Sequence, residues 1–290
     1  MPSKKKSSLI EKLLFKIEEK RRFWTGGKRV LPEYLIIGAA KCGTTSLYNY
    51  LIQHPAVLPC FKKEVHYFDY YFHKGEKWYR SHFPSEKEVK NKEAELAQHI
   101  ISGESSPYYL AHPLSPERVK KLLPHVKMVC MLRNPIDRAI SSFNNQVRLG
   151  IEPLNDFEEA IRLEDERISG HEERLRSDPS YSSFEHKYFS YLRRGIYADQ
   201  LENWYQHFPK EQILVIQSEN FYVDPSPYFK EVVQHIGLQP WEPSKYKIFN
   251  AGGEYDKMSD SLRRKLVEYY RPHNERLFQL IGKRFDNWDE

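Results

Sequence analysis

Residues 34–53 read YLIIGAAKCGTTSLYNYLIQ, and this segment divides into three parts. The apolar run Tyr34–Gly38 predicts a short buried strand, and residues 45–53 predict a helix. The loop between them carries two glycines with the GxxxxG spacing of a phosphate-binding loop. Backbone N–H groups in such a loop, with the positive end of a helix behind them, form a binding site for an anion. The sequence therefore predicts an anion-binding loop over residues 38–46.

One position of this loop departs from the motif of ATPases. Thr44 stands where that motif has its lysine, and the lysine lies inside the loop at Lys41. A kinase or NTPase uses its lysine on the β- and γ-phosphates, together with Mg²⁺. We expect Lys41 instead to act on a 5′-phosphate that leaves when a group attached to it is transferred. A P-loop kinase or NTPase acting on a small molecule is the alternative.

A second candidate anion site follows the apolar run Val126–Leu132, which predicts another strand. Arg133 comes at the carboxyl end of this strand, where open α/β sheets bind ligands, and its planar guanidinium suits a phosphate. Ser141 follows about two helical turns later and can face the same side. Two anion sites at two strand–helix junctions predict a nucleotide with phosphates at both ends.

A third cluster, KKEVHYFD at residues 62–69, places a carboxylate beside a histidine shortly after the loop. Glu64 and His66 are residue types that take a proton from an acceptor hydroxyl or amine. Taken alone, such a cluster is more typical of a charged surface. The spacing of His54, His66 and His73 matches no zinc motif, so no metal site is predicted.

The rest of the chain alternates short apolar runs with helical segments, which predicts an α/β domain around a parallel sheet. Further strands are predicted at residues 100–103 and 212–217. Helices are predicted at residues 115–123, 135–149, 155–178 with a break near Ser169-Gly170, 197–208, 224–236, 259–270 and 274–281.

Charge is unevenly distributed along the 290 residues. The chain holds 45 Lys and Arg against 40 Asp and Glu, a net charge of +5. Residues 1–29 carry ten of these bases and three of the acids, so this head is +7 and the remaining chain −2. A nucleic-acid-binding domain would carry its basic surplus on the folded body. Nucleic acid is therefore not an expected partner.

The basic head, residues 1–30, is predicted to be a helical extension. Its apolar residues form one stripe among lysines, typical of a helix that packs lightly on the body or weakly contacts a membrane surface: Leu9, Ile10, Leu13, Leu14 and Ile17. The apolar run 35–40 is too short for a transmembrane segment, which needs about 20 residues. With no secretory signal and no CxxC pair among three cysteines, we expect a cytoplasmic location.

The three clusters, in this order, resemble the sulfotransferases that use 3′-phosphoadenosine 5′-phosphosulfate (PAPS), in particular the heparan-sulfate type and related bacterial carbohydrate sulfotransferases. Residues 41–46 match the family's 5′-phosphosulfate loop, residues 133–141 match its 3′-phosphate motif, and residues 63–69 resemble the segment with its catalytic glutamate. The likeness covers residues 32–285. It implies a single domain over residues 31–290 with a P-loop NTPase-like three-layer fold, in which a central, mainly parallel sheet is flanked by helices.

The resemblance also implies a role for each matched residue. PAPS would donate the sulfuryl group and leave as 3′,5′-adenosine bisphosphate (PAP), with no metal. Glu64, Lys41 and His66 would be catalytic, with Glu64 as general base; in small-molecule members of the superfamily the histidine is the base. Lys63, His66 and Asp69 would bind the acceptor. The residues implied in donor binding are Lys41, Cys42, Gly43, Thr44, Thr45, Ser46, Arg133, Ser141, Gly252 and Gly253, with Phe249 or a nearby tyrosine against the adenine.

The sequence departs from the family in ways that bear on the acceptor. Relatives carry a basic residue in the loop at 251–254, where this chain has Gly252, Gly253 and Glu254 and only backbone contacts are expected. Several heparan-sulfate enzymes have a lysine in the segment that reads ESSPY at 104–108 here, where this chain has serines. Animal Golgi members begin with a membrane anchor, which we do not expect here. The expected acceptor is therefore another carbohydrate or a small natural product.

Residues 152–190 lie where acceptor-specific insertions occur in the family, although a solvated helix is an equal interpretation of their charge. The acceptor group stays open among a sugar hydroxyl, an amine, a polyketide hydroxyl and a small alkaloid. A non-catalytic nucleotide-binding protein is a further alternative, which the presence of both Lys41 and Glu64 disfavours.

Overall fold

The computed structural model describes residues 9–247, 249 and 258–288. Its centre is a sheet of five parallel strands in the order β2-β3-β1-β4-β5. The strands are β1 Tyr34–Gly38, β2 Val57–Pro59, β3 Ile101–Ser105, β4 Lys127–Leu132 and β5 Ile213–Gln217. The chain crosses from one half of the sheet to the other beside β1, and ligands bind at such switch points in open α/β sheets.

Helices cover the sheet on both faces, as a parallel sheet requires. In the described part of the chain the α-helices are α1 Leu9–Trp24, α2 Thr44–Leu51, α3 Gly75–Arg80, α4 Glu86–Leu96, α5 Ser115–Leu122, α6 Pro135–Arg148, α7 Phe157–Arg162, α8 Glu164–Ile168, α9 His171–Ser177, α10 Phe184–Tyr188, α11 Tyr197–Tyr205, α12 Ser218–Val223, α13 Pro225–His235 and α14 Asp260–Ile281. None of them is long and apolar enough to cross a membrane.

The core has two parts. Every residue of β1 and β3 is buried, and a large apolar cluster surrounds these strands. A smaller cluster joins α6, α7 and α14 through Phe143, Phe157 and Leu266. Because the strands are parallel, the segments that follow β1, β3, β4 and β5 all begin at one edge of the sheet.

The predicted α/β architecture with a central parallel sheet is confirmed. Four strands lie within two residues of their predicted bounds. The sequence did not predict β2, because its three residues lie in a short stretch broken by two prolines. The predicted break in the charged segment is confirmed, since Gly170 has φ +73° and separates α8 from α9.

The prediction of two helices at the carboxyl end of the body was wrong. One helix, α14, runs through Pro272. A proline inside a helix removes a hydrogen bond and costs about 3 kcal/mol. Buried residues on both sides of it, Tyr270 and Leu277 among them, hold the two halves against the same body. Packing therefore outweighs the local signal.

Candidate active site

The carboxyl edge of the sheet opens into a cavity of about 720 Å³. Its walls come from the loop after β1, from the segments that follow β2, β3 and β4, and from α10 and α12. The charged and hydroxyl-bearing residues that line it include Lys41, Thr44, Thr45, Glu64, His66, Arg133, Ser141, Lys187 and Arg194. The three sequence clusters thus meet at one site.

The loop after β1 is shaped by Gly43. Its φ of +89° is costly for a residue with a side chain, and a Cβ there would lie 2.9 Å from the Tyr222 hydroxyl. Gly43 occupies the N-cap position of α2 and has no side chain to cap it, and no side chain among the described residues accepts from the first N–H groups of this helix. Thr44 and Thr45 at that end line the cavity. The local structure is an anion site at a helix N-terminus.

The second junction is fixed by hydrogen bonds around Arg133. Asn134 caps α6, because its side-chain oxygen accepts the N–H of Ile136 at 3.0 Å. The Tyr197 hydroxyl donates to the Arg133 carbonyl at 2.8 Å. These contacts hold the backbone, while the Arg133 guanidinium and Ser141 face the cavity.

Lys41 and Arg133 bring positive charge to the cavity, which the carboxylates of Glu64, Asp137 and Glu219 also line. Within the described residues, neither Lys41 nor Arg133 has a carboxylate at ion-pair distance. Burial lowers the pKa of Lys41, and the nearby charges of Arg148 and Arg133 lower it further. The protein thus holds positive charges close together although this disfavours the charged form of Lys41. Such an arrangement indicates a site for an anionic ligand.

The carboxylate cluster lines the same cavity through Glu64 and His66. His66 Nδ1 is 2.7 Å from Asp69 Oδ2, and His66 Nε2 is 3.6 Å from Glu64 Oε2. The Lys63 ammonium donates to Thr45 Oγ1 at 2.8 Å and to Glu64 Oε1 at 3.1 Å. Lys63 therefore connects the anion loop directly to the Glu64 carboxylate.

These contacts set the charges of Glu64 and His66. Burial raises the pKa of Glu64, but the hydrogen bond with His66 and the charge of Lys63 outweigh it and lower the pKa to about 2. Burial lowers the pKa of His66, whereas its contacts with Asp69 and Glu64 raise it to about 9. At neutral pH Glu64 is ionised and His66 is protonated. Glu64 is thus the member of the pair that can accept a proton.

A buried carboxylate behind the cluster holds its backbone. Glu104 is the penultimate residue of β3 and is fully buried. Its Oε2 accepts the Val65 N–H at 3.2 Å and the Ser106 hydroxyl at 2.6 Å. Ser106 Oγ in turn accepts the His66 N–H at 3.0 Å.

The other oxygen of Glu104 continues the same network. Its Oε1 accepts the Tyr109 hydroxyl at 2.7 Å and the Tyr79 hydroxyl at 3.0 Å. The Tyr109 oxygen accepts the Tyr67 N–H at 2.8 Å. Three successive N–H groups, at residues 65–67, are therefore bound by Glu104 directly or through one hydroxyl.

Comparison with known proteins identifies the family. The model of the sulfotransferase domain matches residues 31–265, most of the chain. The chain belongs to the sulfotransferase family. A sulfotransferase from Alicyclobacillus acidocaldarius, solved by crystallography, is 30% identical, with a TM-score of 0.68 over 90% of this chain and 100% of that one.

Curated relatives include enzymes named for a carbohydrate. The mouse heparan sulfate glucosamine 3-O-sulfotransferase 3B1 is 28% identical over 92% of this chain and 67% of its own length. The membrane-associated sulfotransferase kil1 of Dictyostelium discoideum is 24% identical over 88% of this chain and 66% of its own. The chain thus spans about two thirds of the length of these relatives.

The site residues implied for the sulfotransferase do not all face the cavity. Cys42 and Ser46 are buried and do not line it, so their side chains are directed elsewhere: the Ser46 hydroxyl donates to the Phe249 carbonyl at 3.5 Å. The Asp69 side chain is buried behind His66, where it orients the imidazole. Phe249 lines the cavity. Gly252 and Gly253 lie outside the described residues.

The structure adds residues that sequence reasoning missed. Lys187 and Tyr188 of α10 line the cavity beyond His66, so part of the 152–190 segment reaches the site. The Lys187 ammonium lies 4.2 Å from the centre of the Tyr70 ring, and burial lowers its pKa. A lone lysine in a charged helix is typical of a surface, so no local signal could have identified it.

Proposed function

We propose that this sulfotransferase moves a sulfuryl group from PAPS to a hydroxyl or amine of a carbohydrate or small-molecule acceptor. One observation carries the proposal: the candidate anion sites at the ends of β1 and β4 open into one cavity, and neither Lys41 nor Arg133 has a carboxylate at ion-pair distance among the described residues. PAPS carries a phosphosulfate at the 5′ end of its nucleoside and a phosphate at the 3′ end. Its charge distribution therefore matches the two sites.

The donor would lie across the two junctions. The first N–H groups of α2 and the Lys41 ammonium suit the 5′-phosphosulfate. Arg133 and Ser141 suit the 3′-phosphate, since a guanidinium binds a phosphate through two N–H groups. Phe249 and Tyr222 line the cavity and are the described aromatic candidates for contact with the adenine.

The transfer then requires a base opposite the leaving phosphate. Glu64 takes the proton of the acceptor as its oxygen or nitrogen forms a bond to sulfur. The bond from sulfur to the 5′-phosphate oxygen breaks, and PAP leaves with the electron pair. Lys41 and the loop N–H groups stabilise the charge that develops on this phosphate, as preorganised donors do. The products are the sulfated acceptor and PAP.

Lys63 connects the loop that would bind the donor with the carboxylate that would act as the base. Its ammonium bridges Thr45 on the anion loop and Glu64. A donor on the loop would offer this ammonium new anionic partners. Withdrawal of Lys63 from Glu64 would remove a contact that lowers the pKa of the carboxylate, and so make Glu64 a stronger base.

The acceptor would occupy the part of the cavity beyond His66, beside Lys187 and Tyr188. The names of the curated relatives support a carbohydrate acceptor. The kinase alternative has no support from the comparisons, and Thr44 at the lysine position of the ATPase loop counts against it.

Transfer of radiolabel tests the proposal. Labelled PAPS is incubated with a panel of heparan and chitin oligosaccharides, phenols and primary amines. We expect label in one class of acceptor, its loss in Lys41→Ala, and its retention in Lys92→Ala, a half-buried lysine on α4 that pairs with Glu95. Transfer from ATP labelled at its γ-phosphate, with none from PAPS, would contradict the proposal.

A further inference from the structure

Helix α1 concentrates the exposed apolar surface of the molecule. Among the described residues, eleven large hydrophobic side chains are exposed, and six of them belong to this helix. They are Leu13, Leu14, Phe15, Ile17, Phe23 and Trp24. An apolar patch of this kind marks an interaction surface. The sulfotransferase-domain match begins at residue 31, so α1 lies outside the part that the family shares.

One side of α1 is fixed to the body. The Phe15 ring stacks on Phe61 with 4.7 Å between centres. The Arg22 guanidinium donates to the carbonyls of Ser81 at 2.8 Å and Phe83 at 2.6 Å. These contacts orient the helix on the body.

The other side of α1 carries the apolar stripe. At about 100° per residue, Leu13, Ile17 and Trp24 fall within about 40° of one another around the helix axis. Phe15 and Arg22 fall on the opposite side by the same count. Leu13 is 59% exposed, Ile17 54% and Trp24 78%. The docked helix therefore presents an apolar stripe to solvent, with Lys20 between Ile17 and Trp24 along the stripe.

Basic residues border this face. Lys16 lies on one side of the stripe and Arg21 on the other, Lys20 lies at the edge of the stripe next to Leu13, and all three are exposed. Residues 1–29 carry +7 while the rest of the chain carries −2, so the surplus of positive charge is confined to this head. Aliphatic residues and a tryptophan between cations form the pattern of a helix lying in the interface of an anionic membrane.

We propose that α1 binds the surface of an anionic phospholipid bilayer, with Leu13, Ile17 and Trp24 inserted among the lipids and the flanking lysines at the headgroups. The charge favours lipid over a second copy of the chain, since two such basic heads would repel each other. The proposal does not depend on the identity of the donor or acceptor. It places the body at a membrane surface by an in-plane helix.

Co-sedimentation of the full chain with vesicles tests this proposal. The vesicles contain phosphatidylcholine alone or phosphatidylcholine and phosphatidylserine in equal parts. We expect binding only to the anionic vesicles, weakened by high salt. The double variant Leu13→Ser with Ile17→Ser should reduce the partition coefficient about tenfold or more, because two buried aliphatic side chains are lost. The control Leu149→Ser removes an exposed leucine elsewhere and should bind like the wild type.

Two results would overturn the proposal. One is equal sedimentation of the wild type and the double variant with anionic vesicles, or no binding by either. The other is a wild-type dimer in analytical ultracentrifugation, without vesicle binding, that the double variant dissociates, since a second copy would then cover the face. Circular dichroism of the double variant checks that the body stays folded.

Discussion

Glu64 and His66 both adopt a backbone conformation that few side chains tolerate. Their φ angles are +61° and +57°. These values lie in the left-handed region, which is energetically unfavourable for any residue that has a Cβ atom. Val65 between them is buried, and its N–H is bound by Glu104. The turn therefore directs the two polar side chains to the cavity and the apolar one to the core. The backbone strain at this turn thus falls on the two residues to which the proposed function assigns the proton transfer.

Replacement of the base tests its role. Glu64→Gln keeps the size of the side chain but cannot accept a proton, so turnover should fall about 10²–10⁴-fold. The affinity for PAP should change little, because Glu64 is not part of the anion loop. Radiolabel transfer and calorimetry with PAP give the two quantities. Near-normal turnover in Glu64→Gln, with loss in His66→Asn, would assign the base to His66.

The pH profile of turnover separates the same two residues. His66 with a pKa of about 9 is protonated at neutral pH and holds the ionised Glu64. If Glu64 is the base, turnover falls as the pH rises through about 9, and His66→Asn removes this alkaline limb. If His66 were the base, turnover would instead rise over the same interval.

Stability should follow the same titration. A histidine whose pKa is raised on folding stabilises the protein fully below its ordinary value of 6.5, and this contribution is lost as the pH rises through about 9. Denaturant melts of the wild type and His66→Asn at several pH values measure it. If the free energy of unfolding of the wild type changed with pH no more than that of His66→Asn between pH 6.5 and about 9, His66 would have no raised pKa.

At the scale of elements, the end of β3 supports the turn at residues 64–67. Glu104 binds the N–H groups of residues 65–67 directly or through Ser106 and Tyr109, behind the two side chains to which the proposed function assigns the chemistry, Glu64 and His66. Burial raises the pKa of Glu104, and the hydroxyl donors oppose this. Glu104 is thus a positioning residue that contacts neither donor nor acceptor site.

Glu104→Gln should disturb the turn without touching the anion loop. An amide has one oxygen for the four donors that the carboxylate accepts, so two of them would meet an NH₂ group. We expect the free energy of unfolding to fall by about 1–3 kcal/mol, the usual cost of buried groups left unsatisfied. Turnover should fall with it while PAP affinity stays unchanged.

The control for Glu104 is Tyr79→Phe, which removes one donor to Glu104 but no contact to the turn. It should lower stability with little change in turnover. Chemical denaturation and steady-state kinetics measure both effects. Equal losses of turnover in the two variants would mean that Glu104 acts only through stability, not through position.

Sequence reasoning predicted the strands that matter for the site, because β1, β4 and β5 are apolar runs that end beside polar motifs. It could not predict the continuous α14, since Pro272 is a local break signal and the packing that overrides it is long-range. It quoted Glu104 but not its role, which depends on Tyr79 and on a turn 40 residues away. Lys187 reaches the cavity only through tertiary structure.

At the scale of the whole molecule, the parallel sheet gathers positive charge at one edge. Lys41 and Arg133 are far apart in the sequence and meet there because β1 and β4 are neighbours. The rest of the body has a small negative net charge, so this concentration of cations is local. An anionic nucleotide is therefore attracted to the carboxyl edge, and its affinity should weaken as salt is added.

Calorimetric titration of 3′,5′-adenosine bisphosphate, beside ADP with Mg²⁺, into the wild type and Arg133→Ala tests the two-phosphate site most directly. We predict that the bisphosphate binds and ADP with Mg²⁺ does not compete. Arg133→Ala should weaken the bisphosphate about 10- to 100-fold, the effect of losing a hydrogen-bonded charge, while Arg271→Ala, on the exposed side of α14, should not. Preference for ADP with Mg²⁺, or indifference to Arg133, would contradict the account.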